Sequence, residues 1–314
     1  MPTCVIYNPA AGRGKAEKLL GELRTQLGTE VSLRPSVRPW HASELAQQAA
    51  EEGFARIVAA GGDGTVHEVA NGVLRADKPD VIFSTWPIGS ANDYAFTLGL
   101  TQWWKRRGEN LPTEILRADV GRITGGGRER FYVNSLGLGF NGMVTIEARK
   151  IRWLRGMPLY MLAFLKAMVK HFAKPTLTLT LDRESMTSPT LALTLNLAQR
   201  EGGFPLTPNA SLTDGVFDYL HAKDLRRWHL LRYLPAMATG RLPADHPLLK
   251  IGQCATVQVN SQTPLCVHAD GEFFCMPGDD IREMRVELLP GRLAVEVYSP
   301  ALYGGSRTTV AGVE

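Results

Sequence analysis

A short apolar run that breaks into glycines constrains this chain more than any other feature. Residues 56–60, Arg-Ile-Val-Ala-Ala, read as a buried strand and lead directly into Gly61-Gly62-Asp63-Gly64-Thr65. Successive glycines let backbone N–H groups turn outward and approach an anion with no Cβ in the way. Val66, Val69, Ala70, Val73 and Leu74 then recur at helical spacing, which predicts a helix over 66–75. Thr65 followed by Glu68 has the spacing of a capping box, so the helix N-terminus is expected to face back onto the loop. Strand, glycine turn and helix start together form an anion site, with a plain βα turn as the simpler alternative. Neither common nucleotide motif fits. Gly12-x-Gly14 is followed by Glu17 where the dinucleotide fingerprint needs glycine, and Gly14-Lys15 lacks the Ser/Thr of a P-loop.

The surrounding pattern predicts an α/β body. Strands are expected at 5–8 and 81–86, with helices over 15–27 and 42–52, giving an open, mainly parallel sheet with helices on both faces. After about residue 120 the texture changes to short Val-, Leu- and Thr-rich runs at 176–181, 191–198, 216–221, 255–259 and 265–269. Gly and Pro punctuate them, as in an antiparallel sandwich. A long helical insertion is expected near 143–173, and the strand at 293–298 is expected to return to the first domain. The predicted division is therefore 1–120, rejoined by 290–303, and 121–289. At 314 residues the chain is long enough for two cores.

Composition narrows the function classes. Hydrophobic residues make up 44% and charged residues 21%, a globular balance, and the net charge of +4 is too mild for a nucleic-acid partner. Cys4, Cys254, Cys266 and Cys275 have no metal or redox spacing and predict reduced, buried thiols of a cytoplasmic protein. No metal-ligand cluster is expected among the seven histidines.

Six blocks in sequence order resemble the diacylglycerol-kinase catalytic-domain family, which includes bacterial lipid kinases and the sphingosine and ceramide kinases. They are Asn8-Pro9-Ala10-Ala11-Gly12; Gly61 through Gly72 with Glu68 and Asn71; Pro87-Ile88-Gly89-Ser90-Ala91-Asn92-Asp93; Asp119-Val120-Gly121 with Phe131-Tyr132-Val133-Asn134; Pro208-Asn209-Ala210 with Asp214-Gly215; and Asp270-Gly271-Glu272. The resemblance implies an NAD-kinase-like fold, with an N-terminal α/β nucleotide domain, a C-terminal β-sandwich and an active site between them. It implies ATP and Mg²⁺ as cofactors and a membrane lipid as acceptor, diacylglycerol by default. Asn8, Ser36, Gly61, Gly62, Asp63, Gly64, Thr65, Val66, His67, Glu68, Gly89 and Ser90 are carried over as nucleotide-site residues. His67 stands where the family most often has Asn, and Ser90 where threonine is usual. Ser211, Asp214 and Val216 match a Mg²⁺ turn.

By the same resemblance Glu272 is the general base, held beyond a tight Asp-Gly turn and expected to be buried between the domains, where it is a stronger base. A soluble-acceptor kinase of the NAD-kinase type and a catalytically silent lipid-binding regulator are the rival readings. Arg149, Lys150, Arg152 and Arg155 beside Trp153 and Leu154, with residues 103–107, have interfacial character. Peripheral contact with the anionic inner face of the membrane and a homodimer are the expected associations.

Overall fold

The computed structural model describes residues 1–13, 21, 23, 31–89, 91–101, 113–151, 153–154, 156–243 and 246–298. The expected helix over 15–27, Ser90, residues 103–107, Arg152 and Arg155 fall wholly or largely outside the described residues.

Four strands run parallel in the order β2-β1-β3-β4: β1 (Thr3–Tyr7), β2 (Val31–Pro35), β3 (Arg56–Gly61) and β4 (Ile82–Pro87). They are apolar on both faces, as a sheet covered on both sides must be. Cys4, Ile6, Ile57 and Ala59 share a core with α1 (His41–Glu51) and α2 (Asp63–Arg75). Val5, Val58, Ala60 and Trp86 face the other way and bury Leu23. The two helices approach closely at Gly72, where a Cβ would lie 2.7 Å from the Ala46 Cβ. Helix α2 begins at Asp63 rather than Val66, because Gly62, in extended conformation, already serves as the N-cap.

A five-residue helix, α3 (Asp93–Thr97), follows β4. The chain then forms the hairpin β5 (Glu114–Gly125) and β6 (Arg128–Tyr132), β7 (Ser135–Gly139), and helices α4 (Phe140–Lys150) and α5 (Gly156–Lys170). The helical insertion expected near 143–173, with a break at Gly156-Met157-Pro158, is two helices, and the break falls just before Gly156. Next come β8 (Thr176–Leu181), β9 (Glu184–Pro189), β10 (Ala192–Asn196), β11 (Phe217–Ala222), α6 (Arg227–Thr239), β12 (Leu249–Cys254), β13 (Thr256–Ser261), β14 (Val267–Ala269), β15 (Glu272–Cys275) and β16 (Glu283–Val297).

Strand β16 joins the two halves. Its last residues pair in parallel with β4, at Ala294–Ile82 and Val295–Phe83. Its first half pairs antiparallel with β13, which continues to β8 and β9, and β5 runs antiparallel along nearly all of it. One ten-stranded sheet therefore spans both halves. The second sheet, β12-β11-β10-β7-β14-β15, is wholly antiparallel. Leu177, Leu179, Val257 and Val259 of the first sheet and Leu193, Leu195, Phe217 and Val267 of the second belong to one buried cluster, the sandwich core.

Two buried polar groups pin the halves together. Glu296 on β16 accepts from Ser84 Oγ (2.6 Å) and Thr113 Oγ1 (2.9 Å) and pairs with Arg56. Asn71 on α2 is fully buried. Its Nδ2 donates to Phe131 O and its Oδ1 accepts from Phe131 N, at 2.9 and 3.0 Å, while Nδ2 also reaches His67 O. Each buried backbone group left unpaired costs about 1–3 kcal/mol. Asn71→Leu strands both groups of Phe131, so urea unfolding is expected to show a loss of roughly 2–5 kcal/mol. An equal stability would mean that the helix is not held through this side chain.

Candidate functional site

The glycine turn is braced from behind. Gly61 O accepts from Ile88 N (2.8 Å) and Gly89 N (3.2 Å), so the end of β4 folds onto it. A Cβ on Gly62 would stand 3.2 Å from Gly89 Cα, and the two backbones touch only because both residues are glycine. No side chain caps α2, and Val66 N makes the first helical bond to Gly62 O. The N–H groups of Asp63, Gly64 and Thr65 form the uncapped positive end of the helix dipole.

The expected capping box is not formed. The Thr65 side chain packs back under Gly61, and Glu68 Oε2 accepts from Ala42 N at 3.1 Å. Glu68 therefore caps the neighbouring α1 instead of its own helix, because that helix has a free N-terminus within reach.

A cleft of about 790 Å³ opens in front of the turn. Asn8, Ser36, Gly62, Gly64, Thr65, Glu68 and Gly89 line it, with Arg38 and Glu272. Asn8 also closes a local turn, accepting from Ala10 N through Oδ1 at 2.9 Å. The other carried-over residues lie elsewhere. Gly61 is the last residue of β3, behind the turn. Asp63 and Val66 line a second, mostly apolar cavity of about 110 Å³, and His67 is fully buried against the sandwich. The side-chain period of α2 explains this, since positions 63, 66 and 67 share one face and 64, 65 and 68 another.

Cleft and cavity share a thin wall. Gly64 and Glu272 face the cleft, while Asp63 and Gly271 face the cavity. Asp270 and Gly271 form the two-residue turn between β14 and β15, both with positive φ (52° and 81°). The Asp270 carboxylate folds inward and accepts from Val133 N (3.1 Å), Asn134 N (2.8 Å), Ser135 N (3.0 Å) and His67 Nδ1 (2.8 Å).

Glu272 is less buried than expected. Its side chain is 39% exposed and pairs with Arg149 Nη2 at 2.6 Å. A Cβ on Gly64 would come within 3.1 Å of Glu272 Oε1. Arg149, expected on an interfacial face, lies instead over Phe273 and holds Glu272.

Beyond the wall, Val66, Phe140, Val144, Phe164, Leu206 and Met237 supply most of the apolar lining. Asp63 accepts from Asn92 N (3.0 Å) and Asp93 N (2.8 Å). Asp93 accepts from Gly203 N at 3.1 Å. Burial, and then the charge of Asp63, pushes the Asp93 carboxyl up to about 7. Asp93, Glu201 and His268 were not singled out by sequence as site residues. No local motif marks Glu201 or His268, and Asp93 entered only as part of the Pro87–Asp93 block.

The turn at 211–216 lies at a different place. Asp214 Oδ1 accepts from Val216 N (3.3 Å) and Ser211 Oγ from Thr213 N (3.3 Å). Asp119 fastens the turn, accepting from Gly215 N through one oxygen and from Gly291 N through the other, both at 2.8 Å. Beside it, Asp218 Oδ2 is buried without a hydrogen-bond partner, and burial and the Asp214 charge both raise that carboxyl. Among the described residues, however, no group of three or more His, Cys, Asp or Glu side chains is placed to hold a metal ion.

Among the described residues no helix is long and apolar enough to cross a membrane. Trp153, Met157, Trp228 and Leu231 are exposed apolar side chains on or next to α5 and α6.

A family model described as the diacylglycerol kinase catalytic domain matches residues 2–123, and one described as the YegS C-terminal NAD kinase beta sandwich-like domain matches residues 134–297. A diacylglycerol kinase of Bacillus subtilis is 27% identical over 90% of this chain and 93% of its own length. A Chromohalobacter salexigens protein named "Probable lipid kinase YegS-like" is 27% identical over 93% and 91%. A crystal structure of a diacylglycerol kinase from Bacillus anthracis superposes with a TM-score of 0.70 over 95% of this chain and 97% of that one, at 18% identity, a likeness of fold. Fold and layout match those of this family. The chain belongs to the diacylglycerol kinase catalytic-domain family, with a YegS-type C-terminal sandwich.

The raised Asp93 carboxyl has a measurable consequence. The folded chain keeps a proton on Asp93 that the unfolded chain loses near pH 4, so between about pH 4 and pH 7 rising pH costs the folded wild type. Asp93→Asn does not titrate. Urea unfolding across this range is expected to show the variant gaining on wild type by up to a few kcal/mol, with a flat difference above pH 7 and below pH 4. A difference independent of pH would place the Asp93 carboxyl in the ordinary range.

Proposed function

We propose that this protein transfers the γ-phosphate of ATP to a hydroxyl of a membrane lipid, diacylglycerol by default. The observation that carries this reading is the shared wall: a carboxylate, Glu272, stands between a cleft built from glycine turns and an apolar cavity. The cleft suits phosphates. The apolar cavity suits an acyl chain better than a soluble dinucleotide.

Phosphoryl transfer needs positioning and charge neutralisation more than covalent help from the protein. The amides of Gly62, Asp63, Gly64 and Thr65 at the start of α2 would hold phosphate oxygens, with Gly89 packed against the turn. Asn8, Ser36 and Glu68 line the rest of the cleft as the nucleotide's surroundings. ATP, when bound there, supplies the phosphoryl group, and its accompanying Mg²⁺ offsets the charge. Gly61, Val66 and His67 act indirectly, as the bracing behind the turn, the apolar wall and the link to Asp270.

Glu272 takes the proton of the acceptor hydroxyl as the base. Its exposure keeps it on the cleft side, and Arg149 orients one of its oxygens. In this reading Ser211, Asp214 and Val216 would hold a separate Mg²⁺, largely through the backbone carbonyls of their turn. That site lies away from the wall and would act on the sandwich, not on the reacting atoms. The protein works at an anionic bilayer in this reading, with Trp153, Met157, Trp228 and Leu231 exposed on or next to α5 and α6.

Glu272→Gln keeps the side chain's shape and removes its basicity. Transfer of labelled phosphate from ATP to dioctanoylglycerol is expected to fall by about 10²–10⁴, with nucleotide binding retained. Unchanged turnover would remove Glu272 as the base, and label appearing on NAD instead of a lipid would remove the lipid acceptor.

A further inference from the structure

Trp40 sits in a backbone conformation that its side chain disfavours. Its φ of 66° lies in the left-handed region, where every other non-glycine residue among those described is Asp or Asn. A bulky residue stays there only when its surroundings hold it. Trp40 is the N-cap of α1 and makes no side-chain cap bond. Ser36, Val37, Arg38 and Pro39 before it and Ala42 after it line the cleft in front of the glycine turn.

Three residues from outside this loop hold the indole. The His67 ring meets it edge-on, with centroids 5.6 Å apart. The guanidinium carbons of Arg130 and Arg75 stand 4.3 and 5.6 Å from the ring centre. Arg130 also donates through Nη1 to the Phe273 carbonyl at 2.6 Å, and Phe273 follows Glu272 on β15. His67 in turn bonds Asp270, in the turn before Glu272. Trp40 is therefore tied to the hairpin by two routes, through a cation on β6 and through an imidazole on α2.

A cation at this place costs free energy. Among the described residues no carboxylate bonds to Arg130, and its Nε is buried without a partner. Burial, and then the charge of Arg75, pull its guanidinium below the usual arginine range. The indole face offsets part of that cost, since a desolvated guanidinium is attracted to the ring quadrupole. Strain at Trp40 and desolvation at Arg130 are offset where the two side chains meet.

That meeting joins two sides of one cleft, because residues 36–39 line it along with Glu272. Transfer between bound groups is sensitive to their spacing, and about 1 Å of misplacement can cost roughly 10² in rate. We infer that Trp40 and Arg130 are positioning residues: their stack locks the loop of residues 36–40 onto the Glu272 hairpin and sets the width of the cleft before a nucleotide arrives. This role rests on the lipid-kinase reading given above and requires neither side chain to touch a substrate.

Hydrogen exchange on the nucleotide-free full chain tests the lock directly. Arg130→Met keeps the stem and removes the guanidinium. The amides of Ser36, Val37, His41 and Ala42, each hydrogen-bonded in the wild type, are expected to exchange roughly tenfold faster or more, with those of β3 unchanged. In transfer of labelled phosphate from ATP to dioctanoylglycerol, kcat is expected to fall by about 10–10². ADP affinity is expected to fall much less, because the amides at the start of α2 stay in place. Trp40→Phe, which keeps a ring face for Arg130, is expected to lose far less than Trp40→Leu.

Unchanged exchange over 36–42 overturns the lock, and so does an equal rise in β3, which is general destabilisation. Equal losses of kcat and ADP affinity overturn the positioning role and leave a binding loop only. If Arg130→Met does not fold, Arg130→Lys decides, since an ammonium serves Trp40 or the Phe273 carbonyl but not both. Wild-type kcat in that variant overturns the inference. If the wild type labels no lipid, the lipid-kinase reading falls, while the exchange measurement still decides the lock.

Discussion

The placement of Glu272 depends on one carboxylate, that of Asp270. A type I′ turn puts both central residues at positive φ, which asparagine and aspartate tolerate better than other non-glycine residues. Asp270 uses that conformation to turn its side chain inward, where three successive amides of residues 133–135 and the His67 ring converge on it. Hydrogen bonds to a charged acceptor are about twice as strong as neutral ones. The turn, the crossover into β7 and the middle of α2 are thereby tied at a single point. Glu272 lies two residues on from that point and Gly64 three residues back along α2 from His67, so the two meet across the wall. Moving any one of the three segments would shift Glu272 relative to the amides at the start of α2.

The second constraint is the continuity of the large sheet. Strand β16 is shared, antiparallel to β13 at one end and parallel to β4 at the other. The register shifts between Leu289 and Leu293, and at that irregularity Asp119 accepts from Gly291 N. The other oxygen of Asp119 holds Gly215 N in the 211–216 turn. One buried acid therefore couples the bend in the shared strand to the turn proposed to carry Mg²⁺. Occupancy of that turn would be felt by the strand joining the two halves, a structural effect distinct from chemistry at the wall.

Much of this architecture is local and could be read from residue order. Strand β3 and the glycine turn are adjacent in sequence, and the Asp-Gly hairpin is a two-residue signal. What failed were inferences that needed a partner from elsewhere. Thr65 and Glu68 have capping-box spacing, yet Glu68 finds the N-terminus of α1, 26 residues away. His67 looks like a loop-facing donor until Asp270, 203 residues on, closes over it. Arg149 reads as part of a basic interfacial stripe, but Glu272 is within its reach. Helix α6 and strand β12 were missed because Pro235 interrupts the helical pattern and Gly252 the strand pattern. The alternation along β14 and α2 was legible in principle. The cavity it creates was not, since its polar atoms come from β4–α3, β6–β7, β10–β11 and β14.

The wall itself shows why cleft and cavity come as a unit. It is two dipeptides, Asp63-Gly64 and Gly271-Glu272, and in each one residue faces each side. On the α2 side the glycine faces the cleft and the acid faces the cavity. On the hairpin side the order is reversed, so the glycine opens the cavity and the acid reaches the cleft. A larger residue at Gly64 would meet Glu272 Oε1, and a non-glycine residue at 271 would be strained at φ 81°. The barrier between the two compartments is thus kept at the thickness of a backbone. In the proposed reading, a wall this thin lets a phosphoryl donor in the cleft and an acceptor in the cavity meet from opposite sides of Glu272.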